Sequence, residues 1–205
     1  MSRMARSAIM YDGCYAHVIS RSIRKQKIFN DEEDFRVFID LLGQSKKQAS
    51  YRIFHYCLMH THFHLAVQIP HLPDFSKAFQ RLKSYYTYKY HTKYRLSGPI
   101  WRERFRGLLI ENESYMYACG RYIEKNPVEA GLVKRALEWP FSSCQYYETG
   151  KTDGIVDGYP SDTLPAMPKR MDIQDRSLFE CGAGIGSNFF KLQLKEAVKE
   201  SAGEI

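Results

Sequence analysis

The protein has 205 residues, 44% hydrophobic and 26% charged, which is typical of one globular domain with appendages. No apolar run approaches the ~18 residues of a membrane span, and the basic N-terminus lacks the apolar stretch of a signal peptide. Five scattered cysteines without a Cys-x-x-Cys pair argue against a disulfide framework and a zinc ribbon. We therefore expect a cytoplasmic protein with no membrane partner.

The net charge of +7 favours a polyanionic partner, of which nucleic acid is the most common. Fifteen tyrosines strengthen this expectation, because nucleic-acid bases stack on aromatic rings.

The chain begins with a predicted strand and helix. Ala16–Ser20 reads as a short strand, and Asn30 is expected to cap a helix that runs to about Gln48. Glu33 stands at capping-box distance from Asn30. Apolar residues at helical spacing predict one buried face, formed by Phe35, Phe38, Ile39 and Leu42.

A strand pair follows. Tyr51–Met59 and His62–Ile69 both read as strands, and only two residues separate them, so we expect a tight antiparallel pair. The second strand alternates strictly, which directs Phe63, Leu65 and Val67 to the core and the intervening residues to the opposite face.

The remaining elements complete an α+β pattern. A helix is expected over Asp74–Tyr94, a strand over Arg106–Glu111, and a helix over Ser114–Lys125 that Pro127 ends. The order βαββαβ on one antiparallel sheet is ferredoxin-like, and the last helix is an addition.

The domain is expected to cover residues 1–147. Residues 148–180 are rich in Gly, Pro, Asp, Ser and Thr and show no periodicity. We interpret residues 148–205 as a loop-rich C-terminal extension that closes with a short helix, about Asn188–Ser201.

A candidate metal site lies on the second strand of the pair. His62 and His64 are two residues apart, so both side chains leave the same face of the strand and could bind one divalent cation. His60 and His55 are further candidates. The alternative is that all four are ordinary structural histidines.

A candidate nucleophile lies on the last helix. Tyr122 and Asn126 are four residues apart and share a helix face if the helix reaches Asn126, which Pro127 disfavours. Tyr122 would act as a nucleophile and Asn126 would supply an oxygen ligand for the metal. The alternative makes Tyr122 a core aromatic residue, and Tyr115 and Tyr117 are rival tyrosines on the same helix.

A basic, aromatic stretch covers Phe75–Arg106, where nine Lys or Arg residues accompany a single acid. Bases of this kind neutralise phosphates, although most charge runs are simply solvated helix faces. The expected DNA contacts are Lys77, Arg81, Lys83, Tyr86, Lys89, Trp101, Arg102 and Arg104.

Four segments resemble the REP-associated tyrosine transposases, and the resemblance covers about residues 8–147. Cys57–Leu65 is similar to their HUH (His-hydrophobic-His) strand, although His60-Thr61 stands where the family usually has Pro-Asn. Gly98–Phe105 resembles their Gly-x-x-Trp-x-x-Arg-Phe segment. Arg121–Val133 resembles Tyr-Ile-x-x-Asn-Pro-Val-x-Ala-Gly-Leu, and Trp139–Ser143 the following Trp-Pro-x-Ser-Ser.

The resemblance implies a single-tyrosine DNA transposase. Tyr122 would be the nucleophile, and His62, His64 and Asn126 would hold Mg²⁺ or Mn²⁺. The implied substrate is single-stranded DNA that folds into REP-like hairpins, cut through a 5′-phosphotyrosine by a monomer or a homodimer.

Three other functions stay open. A domesticated relative would bind DNA hairpins without cutting them. An RNA-binding ferredoxin-like module would need exposed aromatic residues on its central strands. A metal-dependent hydrolase would use the four histidines His55, His60, His62 and His64, although no His-Glu-x-x-His motif accompanies them.

Overall fold

The computed structural model describes residues 10–159, 184–188, 190–191 and 193–194. Five strands form one sheet in the order β2-β3-β1-β4-β5. All neighbouring strands are antiparallel except β4 and β5, which are parallel. The strands are Cys14–Arg21 (β1), Arg52–Met59 (β2), His62–Ile69 (β3), Arg106–Ile110 (β4) and Gly184–Ile185 (β5). The predicted ferredoxin-like α+β fold is confirmed, and β5 extends its edge.

Helices cover both faces of the sheet. The ring of Phe63 in β3 contacts Phe38 in the first helix at 5.0 Å and Phe79 in the second at 5.8 Å between centroids. Because strand side chains alternate, His64 points to the opposite face, where the third helix lies. The helices are Glu32–Ala49 (α1), Leu72–Tyr94 (α2), Glu113–Glu129 (α3) and Cys144–Thr149 (α4), with 3₁₀ turns at Ile23–Lys25 and Ala136–Glu138.

The start of α1 differs by one residue from the sequence prediction. Asp31, not Asn30, is the N-cap, and its carboxylate accepts a hydrogen bond from the Asp34 backbone N–H at 3.1 Å. The Asp34 carboxylate accepts in return from the Asn30 N–H at 2.8 Å. Glu33 is not part of this exchange and pairs with Lys93 at 2.8 Å. The Asp pair satisfies one orphan N–H of the first turn and the N–H of the residue before the cap, and thereby fixes the helix start.

The end of α3 corrects a second prediction, because the helix continues through Pro127 to Glu129. A proline inside a helix leaves the carbonyl four residues before it, here that of Ile123, without its usual donor. The Asn126 side-chain Nδ2 donates to the carbonyls of Ile123 and Tyr122, each at 3.1 Å. This side chain therefore replaces the missing N–H, and the helix reaches Asn126.

The chain after α4 packs on the edge strand β2. Residues 150–159 contain no helix or strand, but Asp157 is bonded to Ile53 through both its backbone N–H (2.8 Å) and its carboxylate (2.7 Å). The described residues 188, 190, 191, 193 and 194 are helical, as expected for the terminal helix, and the rest of that helix lies outside the described residues. The domain boundary at residue 147 stays a prediction.

Candidate active site

The candidate site lies on the sheet face that α3 covers. In the register of β1 with β3, Arg21 lies opposite His62 and Ile19 opposite His64, so these side chains share one face. His17 of β1 belongs to the same face. His17 and His64 are completely buried, and His62 is half-buried.

The histidines and the tyrosine are close together. The His17 Nε2 and His64 Nδ1 atoms are 2.9 Å apart, within hydrogen-bond distance. The His62 and His64 ring centroids are 5.0 Å apart and the rings are nearly perpendicular, at 76°. The Tyr122 ring centroid lies 6.4 Å from those of both His17 and His64. The structure therefore brings the phenol of α3 beside the imidazoles of the sheet.

The second nitrogen of each candidate metal ligand is positioned by a neighbour. The Thr61 hydroxyl lies 2.9 Å from His62 Nδ1, and His17 lies against His64 Nδ1. If His64 binds a metal through Nε2, its Nδ1–H must donate to His17, which fixes the tautomers of both rings.

The side chains available for a cation are two imidazoles and one amide oxygen. Asn126 uses its Nδ2 on helix carbonyls, so Oδ1 is its candidate ligand atom. Among the described residues, no group of three His, Cys, Asp or Glu side chains could hold a metal ion. The predicted set of His62, His64 and Asn126 contains only two such residues. Its imidazole and oxygen donors suit a divalent cation such as Mn²⁺.

His60 and His55 do not join this site. His60 Nδ1 is 2.7 Å from the Phe29 carbonyl, and its ring packs against Phe35 and Trp139. His55 uses both ring nitrogens elsewhere. The His60 ring therefore packs on Phe35 of α1, on the side of the sheet opposite Tyr122. Both His55 ring nitrogens are occupied by Glu124 and Tyr159. A site built from four histidines is not formed.

His55 belongs to a buried polar cluster that fastens α3 to β2. Its Nδ1 is 2.8 Å from a Glu124 carboxylate oxygen, and its Nε2 is 2.9 Å from the Tyr159 hydroxyl. The Ser143 hydroxyl donates to the same Glu124 oxygen, and Arg121 pairs with the other. Burial alone would raise the pKa of Glu124, but the charge and hydrogen bond of His55, the Ser143 bond and the Arg121 charge together lower it. The carboxylate is thus held ionised in the contact between α3 and β2.

His17 is a site residue that the sequence pattern did not predict. It lies in the middle of β1, between the buried residues Ala16 and Val18. A polar side chain at the centre of an otherwise apolar strand is the signal that could have identified it, because buried polar groups are rare unless they have a partner.

Two of the predicted DNA contacts are inside the protein. The Lys83 ammonium donates to the Ser20 hydroxyl at 2.7 Å and to the carbonyls of Glu103 and Arg104. Tyr86 is 1% exposed and donates to the Ile28 carbonyl. Both side chains are occupied in the core, so the prediction that they contact DNA is corrected.

The other six differ in position. Trp101 is half-buried and donates to the Thr87 hydroxyl at 3.1 Å. Arg102 and Arg104 are exposed. They lie near the Arg21 end of β1, because the Arg102 N–H donates to the Arg21 carbonyl at 2.9 Å. Three exposed residues lie on α2, on the side of the sheet opposite Tyr122: Lys77, Arg81 and Lys89.

Comparison with known proteins identifies the class. The family described as "Transposase IS200 like" matches residues 10–126, from the approach to β1 as far as Asn126. This match covers more than half of the chain, which therefore belongs to the IS200-like transposase family. No curated protein matches the chain.

The solved structures that are similar to this chain include two transposases. A REP-associated tyrosine transposase bound to a REP hairpin has 20% identity and a TM-score of 0.59, over 82% of this chain and 98% of that one. A candidate transposase from Deinococcus radiodurans R1 has 20% identity and a TM-score of 0.39, over 61% and 97%. At this identity the first similarity shows a shared fold. Within the described part of the chain, no helix combines the length and apolarity needed to cross a bilayer.

Proposed function

We propose that this transposase is a metal-dependent nickase and strand transferase that cuts single-stranded hairpin DNA through a 5′-phosphotyrosine on Tyr122. The observation that carries the proposal is the position of the Tyr122 ring, 6.4 Å from the His17 and His64 rings. A buried tyrosine facing two buried histidines fits a reaction centre for a family that processes DNA.

In this reaction the main task of the protein is to hold the reacting groups in position. The Tyr122 hydroxyl oxygen forms a bond to phosphorus while the bond from phosphorus to the 3′ oxygen breaks; the phenol loses a proton and the 3′-hydroxyl gains one. His62, His64 and Asn126 would hold Mg²⁺ or Mn²⁺, which supplies charge to the scissile phosphate. Thr61 and His17 orient the two imidazoles. Because the phosphoester bond is kept on tyrosine, the 3′-hydroxyl of another strand can reverse the step.

The proposed substrate is a hairpin with a single-stranded flank. The similar solved protein is bound to a REP hairpin, which supports the same class of DNA here. Arg102 and Arg104 are proposed contacts near the site, and Lys77, Arg81 and Lys89 are proposed contacts on the α2 side. One chain supplies every residue named for the reaction, so a monomer could act alone, and a homodimer stays possible. We place this activity in the cytoplasm.

The test is a covalent adduct assay. The full chain is incubated with a single-stranded hairpin oligonucleotide and Mn²⁺, and the adduct is detected by a shifted gel band and located by mass spectrometry. We expect an adduct on Tyr122 and its complete loss in Tyr122→Phe, which should still bind the hairpin. Tyr117→Phe is the matched control, because this tyrosine of α3 contacts His55 and Tyr159 instead and should leave the adduct intact.

Each other outcome has a definite meaning. An adduct that persists in Tyr122→Phe would assign the nucleophile elsewhere. Hairpin binding by the natural chain without any adduct would support the domesticated, non-cutting alternative. Tighter binding to single-stranded RNA than to DNA hairpins would support the RNA-binding alternative.

A further inference from the structure

Basic side chains gather at the end of the sheet where β1 finishes and β4 begins. Five are exposed and two are half-buried. Within the same segments Glu103 is the only acidic residue. We call this surface the basic rim; it consists of Arg21, Arg24, Lys25, Lys27, Arg102, Arg104 and Arg106.

Two loops are joined to build the rim. The Ile23 N–H donates to the Ile100 carbonyl at 2.9 Å, and the Arg102 N–H donates to the Arg21 carbonyl at 2.9 Å. Ser22 and Trp101 form an antiparallel bridge between these bonds. The segment after β1 and the segment before β4 are therefore one hydrogen-bonded unit, although about eighty residues separate them in sequence.

The rim borders the candidate active site. Arg21 lies opposite His62 in the β1–β3 register, and Arg106 lies opposite Ile19, whose other neighbour is His64. The alternation of strand side chains puts Arg21 and Arg106 on the same sheet face as the two histidines. DNA whose scissile phosphate reaches Tyr122 would pass this end of the sheet.

The rim contains unusual backbone. Arg24 and Lys25 have positive φ angles of 51° and 57°, a conformation that residues with a Cβ seldom adopt. The Ser22 hydroxyl donates to the Gln26 carbonyl at 2.7 Å, which closes this turn. Two consecutive basic residues held in this conformation direct their side chains outward, and such strain is concentrated at functional sites.

Lys83 secures the rim from beneath. From α2, its buried ammonium bonds to the Glu103 and Arg104 carbonyls and to Ser20 in β1, and it lies 4.7 Å from the Trp101 ring centroid. An internal ammonium with three oxygen acceptors fixes the backbone that carries Arg102 and Arg104. The rim is therefore a preformed cationic surface.

We infer that the basic rim binds the phosphates of the single-stranded DNA flank that leads from the hairpin to the scissile phosphate. The inference rests on the proposed function and adds a binding surface whose first half, residues 21–27, was not among the sequence-predicted contacts. The chemistry is phosphate neutralisation by guanidinium and ammonium groups, without recognition of base sequence.

The test compares two variants of equal charge change. Arg24→Asn/Lys25→Asn removes two rim charges, and asparagine tolerates positive φ, so the turn is kept. Lys47→Gln/Lys151→Gln is the matched control, because both lysines are exposed and lie near the opposite end of the sheet. Binding of a fluorescent hairpin with a single-stranded flank is measured between 50 mM and 300 mM salt.

Loss of two phosphate contacts should weaken binding about 15- to 30-fold at 0.15 M salt and reduce the slope of log K against log salt by about 1.4–1.8. The control should change affinity by less than about twofold. Removal of the flank should weaken binding by the natural chain more than binding by the rim variant, because two of the proposed flank contacts are already absent in the variant. A second rim variant, Arg102→Gln/Arg104→Gln, should behave like the first.

The failures are distinguishable. If the natural chain neither binds the hairpin nor forms the adduct, the proposed function fails together with the rim. If the natural chain binds and forms the adduct, but neither rim variant binds more weakly than the control variant, the rim inference alone is wrong. Equal losses with and without the flank would likewise overturn it.

Discussion

Gly120 is the residue of α3 that allows this helix to lie against β2, and its replacement by alanine should destabilise the protein. A Cβ at Gly120 would overlap the Cγ, Cδ2 and Nε2 atoms of His55, each inside the 3.0 Å that real Cβ atoms keep. His55 cannot move aside, because it is fully buried, bonded to Glu124 and Tyr159, and stacked on Tyr147 at 4.4 Å.

The sign of the effect follows from three magnitudes. Alanine in place of glycine inside a helix contributes about 1 kcal/mol of stability. Overpacking costs about 1–3 kcal/mol, and breaking the buried His55–Glu124 pair to escape it would cost about 3–5 kcal/mol. The distances of 2.1–2.3 Å from the added Cβ to the His55 ring are short enough to displace the ring, so the cost of breaking the pair applies. After subtraction of the helix gain of about 1 kcal/mol, Gly120→Ala should lower the free energy of unfolding by about 2–4 kcal/mol. In a His55→Ala background the overlap is gone, and the same change should raise stability by about 1 kcal/mol.

Urea denaturation of the four proteins in this cycle, followed by tyrosine and tryptophan fluorescence, measures the reversal of sign. Gly43→Ala is the matched control: Gly43 is also helical, and its added Cβ would meet only the end of the Ile155 side chain, at 3.3 Å. It should be neutral or stabilising. If Gly120→Ala destabilises equally with and without the His55 ring, the steric argument is refuted.

Two further results are expected. His17 and Thr61 each orient an imidazole, so His17→Ala or Thr61→Val should weaken Mn²⁺ binding, measured by calorimetry, about 10- to 100-fold. Thr61→Ser keeps the hydroxyl and should not weaken it. Equal Mn²⁺ affinity in all three variants would contradict the orienting role. Burial lowers the pKa of Lys83 from 10.5 to about 7, so between these values the unfolded chain binds more protons and stability should rise with pH. That rise in stability amounts to at most about 5 kcal/mol, because the three oxygen acceptors of Lys83 favour its charged form. The rise should be missing in Lys83→Met, and parallel profiles of stability against pH for the two proteins would disprove the prediction.

The sequence predicted elements whose pattern is local. The bounds of β3 and the two-residue turn before it follow from strict alternation between apolar and polar side chains. The two-residue strand β5 could not be predicted, because Gly184 and Ile185 become a strand only by pairing with the edge of β4. Helix starts fail by one residue where two good caps, Asn30 and Asp31, stand side by side.

The residues of the candidate site likewise separate into those that a local pattern predicts and those that only the fold brings together. His62 and His64 could be predicted because residues two apart on a strand lie on the same face. His17 lies 47 residues from His64 in the chain, and only the β1–β3 register brings the two together. Lys83 was misjudged for a different reason: it lies four residues after Phe79 and three before Tyr86, so helical spacing already put it on the buried stripe.

The Asn126-Pro127 pair shows why a local rule failed and what the exception provides. Proline biases the preceding residue away from helical geometry, yet α3 passes through it because the Asn126 amide donates to the carbonyl that Pro127 leaves without a donor. An amide has two functional ends, so the nitrogen can complete the helix while the oxygen stays available as a ligand. Alanine could supply neither end, and aspartate could supply only the oxygen. The requirement for asparagine thus follows from helix continuity as well as from the proposed chemistry, one turn beyond Tyr122.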